Sequence, residues 1–215
     1  MKEQLILGRL VTFDGAGGVG KSTAVDATVD YLQRSGISVY SARQPSTTAL
    51  GSFVRAHADT YTGMVLACLV AADRHHQQAT EIDPALAAGK VVVCDRHLPS
   101  SLVLQVLDGV PAEKVWQLNE GVRVPDVAVF LRADPATITR RLTARGAHDR
   151  FERDPGRGTA EQVKMFDDLA RRLLTAGWPV HVIDCTDLGP HQIAAIVADL
   201  VVPLLDEHPN EGTTA

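Results

Sequence analysis

The chain has 215 residues, which suits one domain on the usual scale of about 100–200 residues. Hydrophobic residues make up 45% and charged residues 22%, ordinary for a globular protein with a sizeable core. The formal net charge of −5 excludes a broad basic face for duplex nucleic acid, so anions must be held by a few placed cations and backbone amides.

Short runs rich in Val, Ile and Leu predict strands at Leu7–Phe13, Ile37–Ser41, Val91–Cys94, Val127–Leu131 and Val180–Ile183. Helical patterns lie between them at Lys21–Arg34, Thr47–Ala58, Thr62–Glu81, Ser100–Leu107, Ala112–Glu120, Pro135–Arg145, Ala160–Ala176 and His191–Leu204. This alternation is that of βαβ units around a parallel sheet, an α/β fold. Gly36, Gly89, Gly146 and Gly177 follow helical stretches, where a left-handed residue is often needed, and Asp134 before Pro135 is a candidate N-cap. The charged stretch from Gly146 to Thr159 has no periodicity and is expected to be a mobile lid on a single domain spanning residues 1–205. Residues 206–215 are expected to form a frayed tail.

Cys68, Cys94 and Cys185 each lie in an apolar stretch and are expected to be buried, reduced thiols. The first residues lack a long apolar stretch with a cleavage site and no run of about 18 apolar residues suggests a membrane span, so a cytoplasmic setting is expected.

Residues Gly15-Ala16-Gly17-Gly18-Val19-Gly20-Lys21-Ser22 match G-x-x-x-x-G-K-[ST] between a strand and a helix, the placement that a phosphate-cradling P-loop requires. The glycines let backbone amides approach phosphate oxygens closely, and the following helix start adds a favourable dipole. Gly15, Gly17, Gly18, Val19, Gly20, Lys21, Ser22 and Thr23 are therefore the expected ATP-binding residues. Lys21 is expected to reach the β and γ phosphates, and Ser22 to ligate Mg2+. The strand Val91–Cys94 runs into Asp95, a Walker B pattern that points to a second, magnesium-linked carboxylate near the phosphates.

Further blocks resemble the thymidylate kinases over nearly the whole chain. Phe13-Asp14-Gly15 resembles the family's F-[ED]-G opening, and Arg43-Gln44-Pro45 with Leu50-Gly51 and Arg55 resembles its R-[EQ]-P…L-G…R segment. Ala71-Ala72-Asp73-Arg74, Pro84–Lys90, and Asp95-Arg96-His97 with Ser100, Ser101 and Gln105 look like further family blocks, as do Pro125-Asp126, Asp134-Pro135 and the lid Arg145…Asp149-Arg150-Phe151-Glu152. The resemblance implies a P-loop three-layer fold, with a five-stranded parallel sheet and helices on both faces. It also implies ATP- and magnesium-dependent phosphorylation of a pyrimidine nucleoside monophosphate, with dTMP to dTDP the leading expectation, and a homodimer. The expected catalytic residues are Lys21, Asp95, Arg96 and a lid arginine, Arg150 or Arg153. The expected acceptor-binding residues are Asp14, Arg43, Val70, Arg74, Arg96, His97, Ser101, Leu104 and Gln105.

Three positions depart from the family pattern: Gly17 replaces an acid that contacts the sugar's 3'-hydroxyl, Val70 replaces an aromatic that stacks on the base, and Leu104 replaces a tyrosine beside the sugar. A different or modified acceptor nucleotide in a specialised pathway is therefore the alternative. A regulatory ATPase of the partitioning type, whose loop is similar, is a more distant one, since Ala16 stands where those proteins carry a signature lysine.

Overall fold

The computed structural model describes residues 8–146, 150–152 and 157–206. Five strands form one parallel sheet in the order β2-β3-β1-β4-β5: β1 Leu10–Asp14, β2 Val39–Arg43, β3 Val91–Asp95, β4 Val127–Arg132 and β5 Val180–Asp184. All five lie within one to three residues of their predicted bounds. Leu7, the predicted start of the first strand, lies outside the described residues.

Around the sheet run α1 Lys21–Arg34, α2 Ala49–Ala56, α3 Gly63–Gln77, α4 Asp83–Ala87, α5 Leu98–Leu107, α6 Ala112–Leu118, α7 Pro135–Arg145, α8 Arg157–Thr175 and α9 Pro190–Asp206. The alternation of β3 sorts its side chains onto two faces, as the period-2 geometry of a strand dictates. Val91 and Val93 join Ala24, Val25 and Leu32 of α1 and Val197 and Val201 of α9. Val92 and Cys94 turn instead to Ile82, Ala85 and Leu86 beside α4.

The predicted helix Thr62–Glu81 ends as an α-helix at Gln77, widens into a π turn over Gln78–Ile82, and continues as α4. Pro84 lacks the N–H that a regular ladder needs and its ring crowds the preceding turn, which sequence periodicity does not register. Helix α5 begins two residues earlier than expected because Pro99 is tolerated in a first turn. Gly36, Gly89, Gly146 and Gly177 all have positive φ, as expected after helices. Asp134 occupies the N-cap position of α7 but makes no side-chain cap.

Cys94 and Cys185 are buried, whereas Cys68 is exposed, a correction to the expectation of three buried thiols. The cause is the composition of α3: its outward face, with Met64, Val65, Cys68 and Ala72, is as apolar as its inward one. Among the described residues, no helix is long and apolar enough to cross a membrane. The expected tail from residue 206 begins inside α9 at Asp206, and residues 207–215 lie outside the described residues.

Candidate functional site

The strands β1 and β3 lie side by side, with Phe13 paired to Asp95, so the phosphate loop and the Walker B carboxylate emerge together at the carboxyl edge of the sheet. Two loop glycines are fixed by their surroundings. Gly15 has φ +148 and lies against the Leu131 carbonyl oxygen, while a Cβ on Gly18 (φ +76) would stand 2.6 Å from Leu142 Cγ. Gly20 caps α1 in a left-handed conformation without a side-chain cap, and no acidic residue lies in the first turn. The amides there point to an anion-binding helix start.

Lys21 is buried and folds across the loop, its Nζ donating to the carbonyls of Gly15 (2.9 Å) and Ala16 (2.8 Å). Burial lowers its pKa to about 7, with the Arg96 charge acting in the same direction and Asp95, Asp14 and Glu152 opposing. A polyphosphate beside Lys21 would restore the cation. ATP binding above pH 7 is therefore expected to take up a proton, approaching one per site near pH 8 and vanishing below about pH 6. Calorimetry in buffers of differing ionisation enthalpy measures this; proton release, or none at pH 8, would exclude the assignment.

Ser22 Oγ donates to Asp95 Oδ2 at 2.5 Å, while Asp95 Oδ1 is buried without a hydrogen-bond partner. A hydroxyl and a carboxylate adjoining at the mouth of a phosphate loop fit the oxygen preference of Mg2+, which keeps its remaining sites for phosphate and water. Both residues also line a cationic cavity with Gly18, Gly20, Lys21, Thr23, Arg43, Arg55, Arg96 and Arg145.

Arg96 is the sole non-glycine residue with positive φ among the described residues, at 71°. Its amide donates to Phe13 O (2.9 Å), and Asp14 Oδ1 accepts from the amides of His97 (3.1 Å) and Ser100 (2.9 Å) and from Ser100 Oγ (2.6 Å). These bonds hold the strained turn that turns Arg96 into the cavity. Asp14 thus stands behind the cavity wall, not on it. Burial raises its pKa, partly offset by its bonds to Ser100 and His97 and by the Arg96 charge.

A second, largely apolar cavity adjoins the first, lined by Pro45, Val54, Leu66, Val70, Leu104 and Phe151 among others. Arg74, Arg96, His97, Ser101 and Gln105 also face it, so seven of the nine acceptor residues expected from sequence line this cavity, while Arg43 lines the cationic one and Asp14 neither. Arg74 is only 2% exposed. Its guanidinium donates to Gln44 Oε1 (2.7 Å), Ser101 Oγ (2.6 Å), Asn119 Oδ1 and the His97 carbonyl. Burial lowers its pKa to about 10. His97 is kept neutral, its pKa lowered to about 3 by burial and then by Arg74. Gln44 Nε2, His97 Nδ1 and Gln105 Oε1 are buried at this cavity without partners. Orphaned polar atoms cost about 1–3 kcal/mol each, and their concentration in one cavity marks it as a place for a polar-edged ligand.

Sequence reading missed Arg55, Gln44, Phe151 and Glu152 as cavity residues, although all four lie in blocks already quoted. Arg55 donates to the carbonyls of Pro45 and Ser46 (2.6 Å for the latter), an approach allowed because Gly51 packs directly on Ser46. A third cavity lies across the phosphate loop, between Arg141 of α7 and Cys185, Leu188, Pro190 and Ile193. Arg141 Nη1 donates to Val19 O at 2.9 Å. Of the two candidate lid arginines, Arg153 lies outside the described residues. Arg150 opens a 3-10 turn over Arg150–Glu152, and its side chain lies outside what is described.

A family model described as Thymidylate kinase matches residues 13–177. The chain belongs to the thymidylate kinase family. It is 36% identical over 148 residues to the "Probable thymidylate kinase" of Caldivirga maquilingensis, covering 67% of this chain and 72% of that one. It is 34% identical over 174 residues to the "Thymidylate kinase" of Caldicellulosiruptor saccharolyticus, covering 74% and 84% of the two chains. With the "Thymidylate kinase" of Synechococcus sp. the identity is 34% over 203 residues, 91% of this chain and 95% of the other. The family match spans the phosphate loop, both adjoining cavities and the 3-10 turn.

Proposed function

We propose that the protein transfers the γ-phosphoryl group of ATP to dTMP, releasing ADP and dTDP. One observation carries this reading: the apolar cavity with its orphaned polar atoms runs directly into the cationic cavity at the phosphate loop, with Gln44, Pro45, Ala58 and Arg96 lining both. A nucleoside monophosphate has this two-part character, a flat base with a polar edge and a dianionic phosphate. Membership of the thymidylate kinase family supports thymine as the base.

In this reading, the phosphate loop holds the ATP phosphates, and the cavity beside Arg141 takes the adenine. The dTMP base occupies the apolar cavity against Val70, Leu104 and Phe151, within reach of Arg74, Ser101 and Gln105. Arg96 and Arg43 hold its phosphate with planar, bidentate guanidinium contacts that a point-charge lysine would not copy. An oxygen of the dTMP phosphate attacks the γ-phosphorus while the bond to the β–γ bridging oxygen breaks, and the electrons of that bond leave with ADP. Both reactants are anions, so positioning and charge neutralisation supply most of the catalysis. Lys21 neutralises charge on the transferring group. Ser22 and Asp95 would hold Mg2+, which supplies further neutralisation of the phosphates when bound. Arg150 or Arg153 is the proposed lid residue that closes on the transferring phosphoryl.

A coupled assay across dTMP, dUMP, UMP and CMP tests the reading. Diphosphate formation is expected to be fastest with dTMP. Acceptor-independent ATP hydrolysis with no diphosphate product would refute it.

A homodimer is part of the same proposal, formed through the outer face of α3. Met64 and Val65 are 43% and 55% exposed there, and Cys68 and Ala72 extend the strip. Exposed apolar side chains in a continuous row are more often covered by a partner than left in water. Solution mass decides the matter: twice the 23.1 kDa chain is expected, and a clean monomer at micromolar concentration would exclude it. A cytoplasmic setting accords with free cysteines.

A further inference from the structure

Helix α3 grips the turn between β2 and α2 from one side. Gln77 Nε2 donates to the Arg43 carbonyl at 3.1 Å, Arg74 Nε donates to Gln44 Oε1 at 2.7 Å, and Asp73 takes the residues that follow. Asp73 is only 1% exposed. Its Oδ2 accepts from the Ser46 amide at 2.6 Å, and its Oδ1 accepts from Ser46 Oγ at 2.6 Å. A carboxylate only accepts, so Ser46 Oγ directs its proton to Asp73. Ser46 Oγ is then left to accept from Thr48, whose hydroxyl lies 2.7 Å from it and 3.4 Å from Asp73 Oδ1. These bonds offset the cost of burying the charge.

The turn so fixed aims Arg55. The Pro45 and Ser46 carbonyls both accept from Arg55 Nη1, at 2.6 Å for Ser46. Two successive carbonyls face one nitrogen only where the backbone bends between them, so the bonds from Asp73 to Ser46 set the direction of the guanidinium. Thr48 also caps α2 by accepting from the Gly51 amide at 3.3 Å, and Arg55 lies on that helix. Arg55 Nη2 donates to Ser52 Oγ at 3.3 Å. Three of the five guanidinium N–H groups are thus engaged, leaving Nε–H and one Nη2–H, a pair that can grip two oxygens of a phosphate. Arg55 lines the cationic cavity beside Pro45 and Ala58, which also border the apolar cavity, as does its neighbour Val54. Burial lowers the Arg55 pKa, the Arg43 charge acts in the same direction, and Asp73 opposes both.

We propose that Asp73 is a positioning residue for the acceptor's phosphate, acting through Arg55 by fixing the turn whose carbonyls aim that guanidinium. The inference rests on the dTMP kinase reading above. Asp73 itself touches neither cavity.

Comparing dTMP with thymidine tests it, because thymidine keeps the base and sugar and lacks the phosphate. Dissociation constants for both are measured by calorimetry on the unaltered protein, Asp73→Ala and Asp73→Asn. Asp73→Ala is expected to weaken dTMP on the order of 10-fold, the scale of one hydrogen bond to a charged group, and thymidine by less than about twofold. Asp73→Asn keeps one acceptor oxygen and should fall between. Should Asp73→Ala not fold, Asp73→Asn decides by the same comparison, with a loss of about threefold confined to dTMP expected. Equal weakening of both ligands would show a general loosening that reaches Arg74 as well, and would overturn the proposal. Unchanged dTMP affinity would overturn it too. A cycle with Arg55→Gln supplies the second readout. In the Arg55→Gln background, Asp73→Asn should cost dTMP binding nothing further; additive losses would mean that Asp73 does not act through Arg55. No dTMP turnover by the unaltered protein would instead refute the kinase reading itself.

Discussion

Replacing Lys21 by alanine is expected to lower kcat on the order of 10³-fold while leaving the fold intact, the upper range for losing one preorganised charge-stabilising donor. Two features of the structure set this expectation. The Lys21 ammonium already lies within 3 Å of the loop carbonyls of Gly15 and Ala16, at 2.9 and 2.8 Å, so it is held at the point where the transferring phosphoryl would sit. Its burial also disfavours the cation, with the pKa near 7, so the side chain contributes little stability as a charge in the free protein. Thermal unfolding of Lys21→Ala should therefore stay close to that of the unaltered chain. The same variant should take up no proton on binding ATP at pH 8. Full turnover would remove Lys21 from the proposed mechanism.

Arg96→Gly is expected to separate activity from stability more sharply. Arg96 holds a φ of 71°, a left-handed conformation that disfavours an L side chain by roughly 1–2 kcal/mol and that glycine adopts freely. Relief of that strain is offset by the larger unfolded-state freedom of glycine, about 0.5–1 kcal/mol. Net stability should shift by no more than about 1 kcal/mol, because Asp14, Ser100 and the Phe13 carbonyl hold the turn through atoms that Arg96→Gly retains. Meanwhile kcat/KM for dTMP should fall on the order of 10²- to 10³-fold through loss of the guanidinium fork. Arg96→Lys keeps the charge and the strain without the fork, and an intermediate loss is expected. A stable Arg96→Gly protein with near-full activity would end the assignment of Arg96 to the acceptor phosphate. A collapse in stability would show that the side chain, not the turn, holds this region.

Strained residues accumulate where function opposes local preference. At Arg96 the conflict is visible in both directions: β3 delivers the chain to the carboxyl edge, and Asp14 takes the amides of the following turn so that α5 can start at Leu98. The buried Asp14 is in this sense a positioning residue, acting on the acceptor site through Arg96. The sequence motif led to the expectation that Asp14 binds the acceptor directly, whereas it lines neither cavity.

Sequence alone determined the strand–loop–helix around Gly15 to Ser22, the parallel sheet, and part of the lining of the two cavities, from Lys21, Ser22 and Asp95 to Val70, Arg74 and Gln105. These follow from local rules: short Val- and Ile-rich runs, glycine spacing, and a carboxylate at a strand end. It did not reveal the π turn before Pro84, the exposure of Cys68, or the interior position of Asp14, because each depends on which neighbour packs against the residue. The phosphate loop is the clearest case. From its sequence, Gly17 is simply a missing carboxylate and a reason to doubt the acceptor. In the folded chain, Glu152, 135 residues away in sequence, stands with its Cγ 2.7 Å from where a Cβ on Gly17 would lie. A local motif fixes what its own backbone can do, whereas the side chain that fills the space beside it is chosen by the fold.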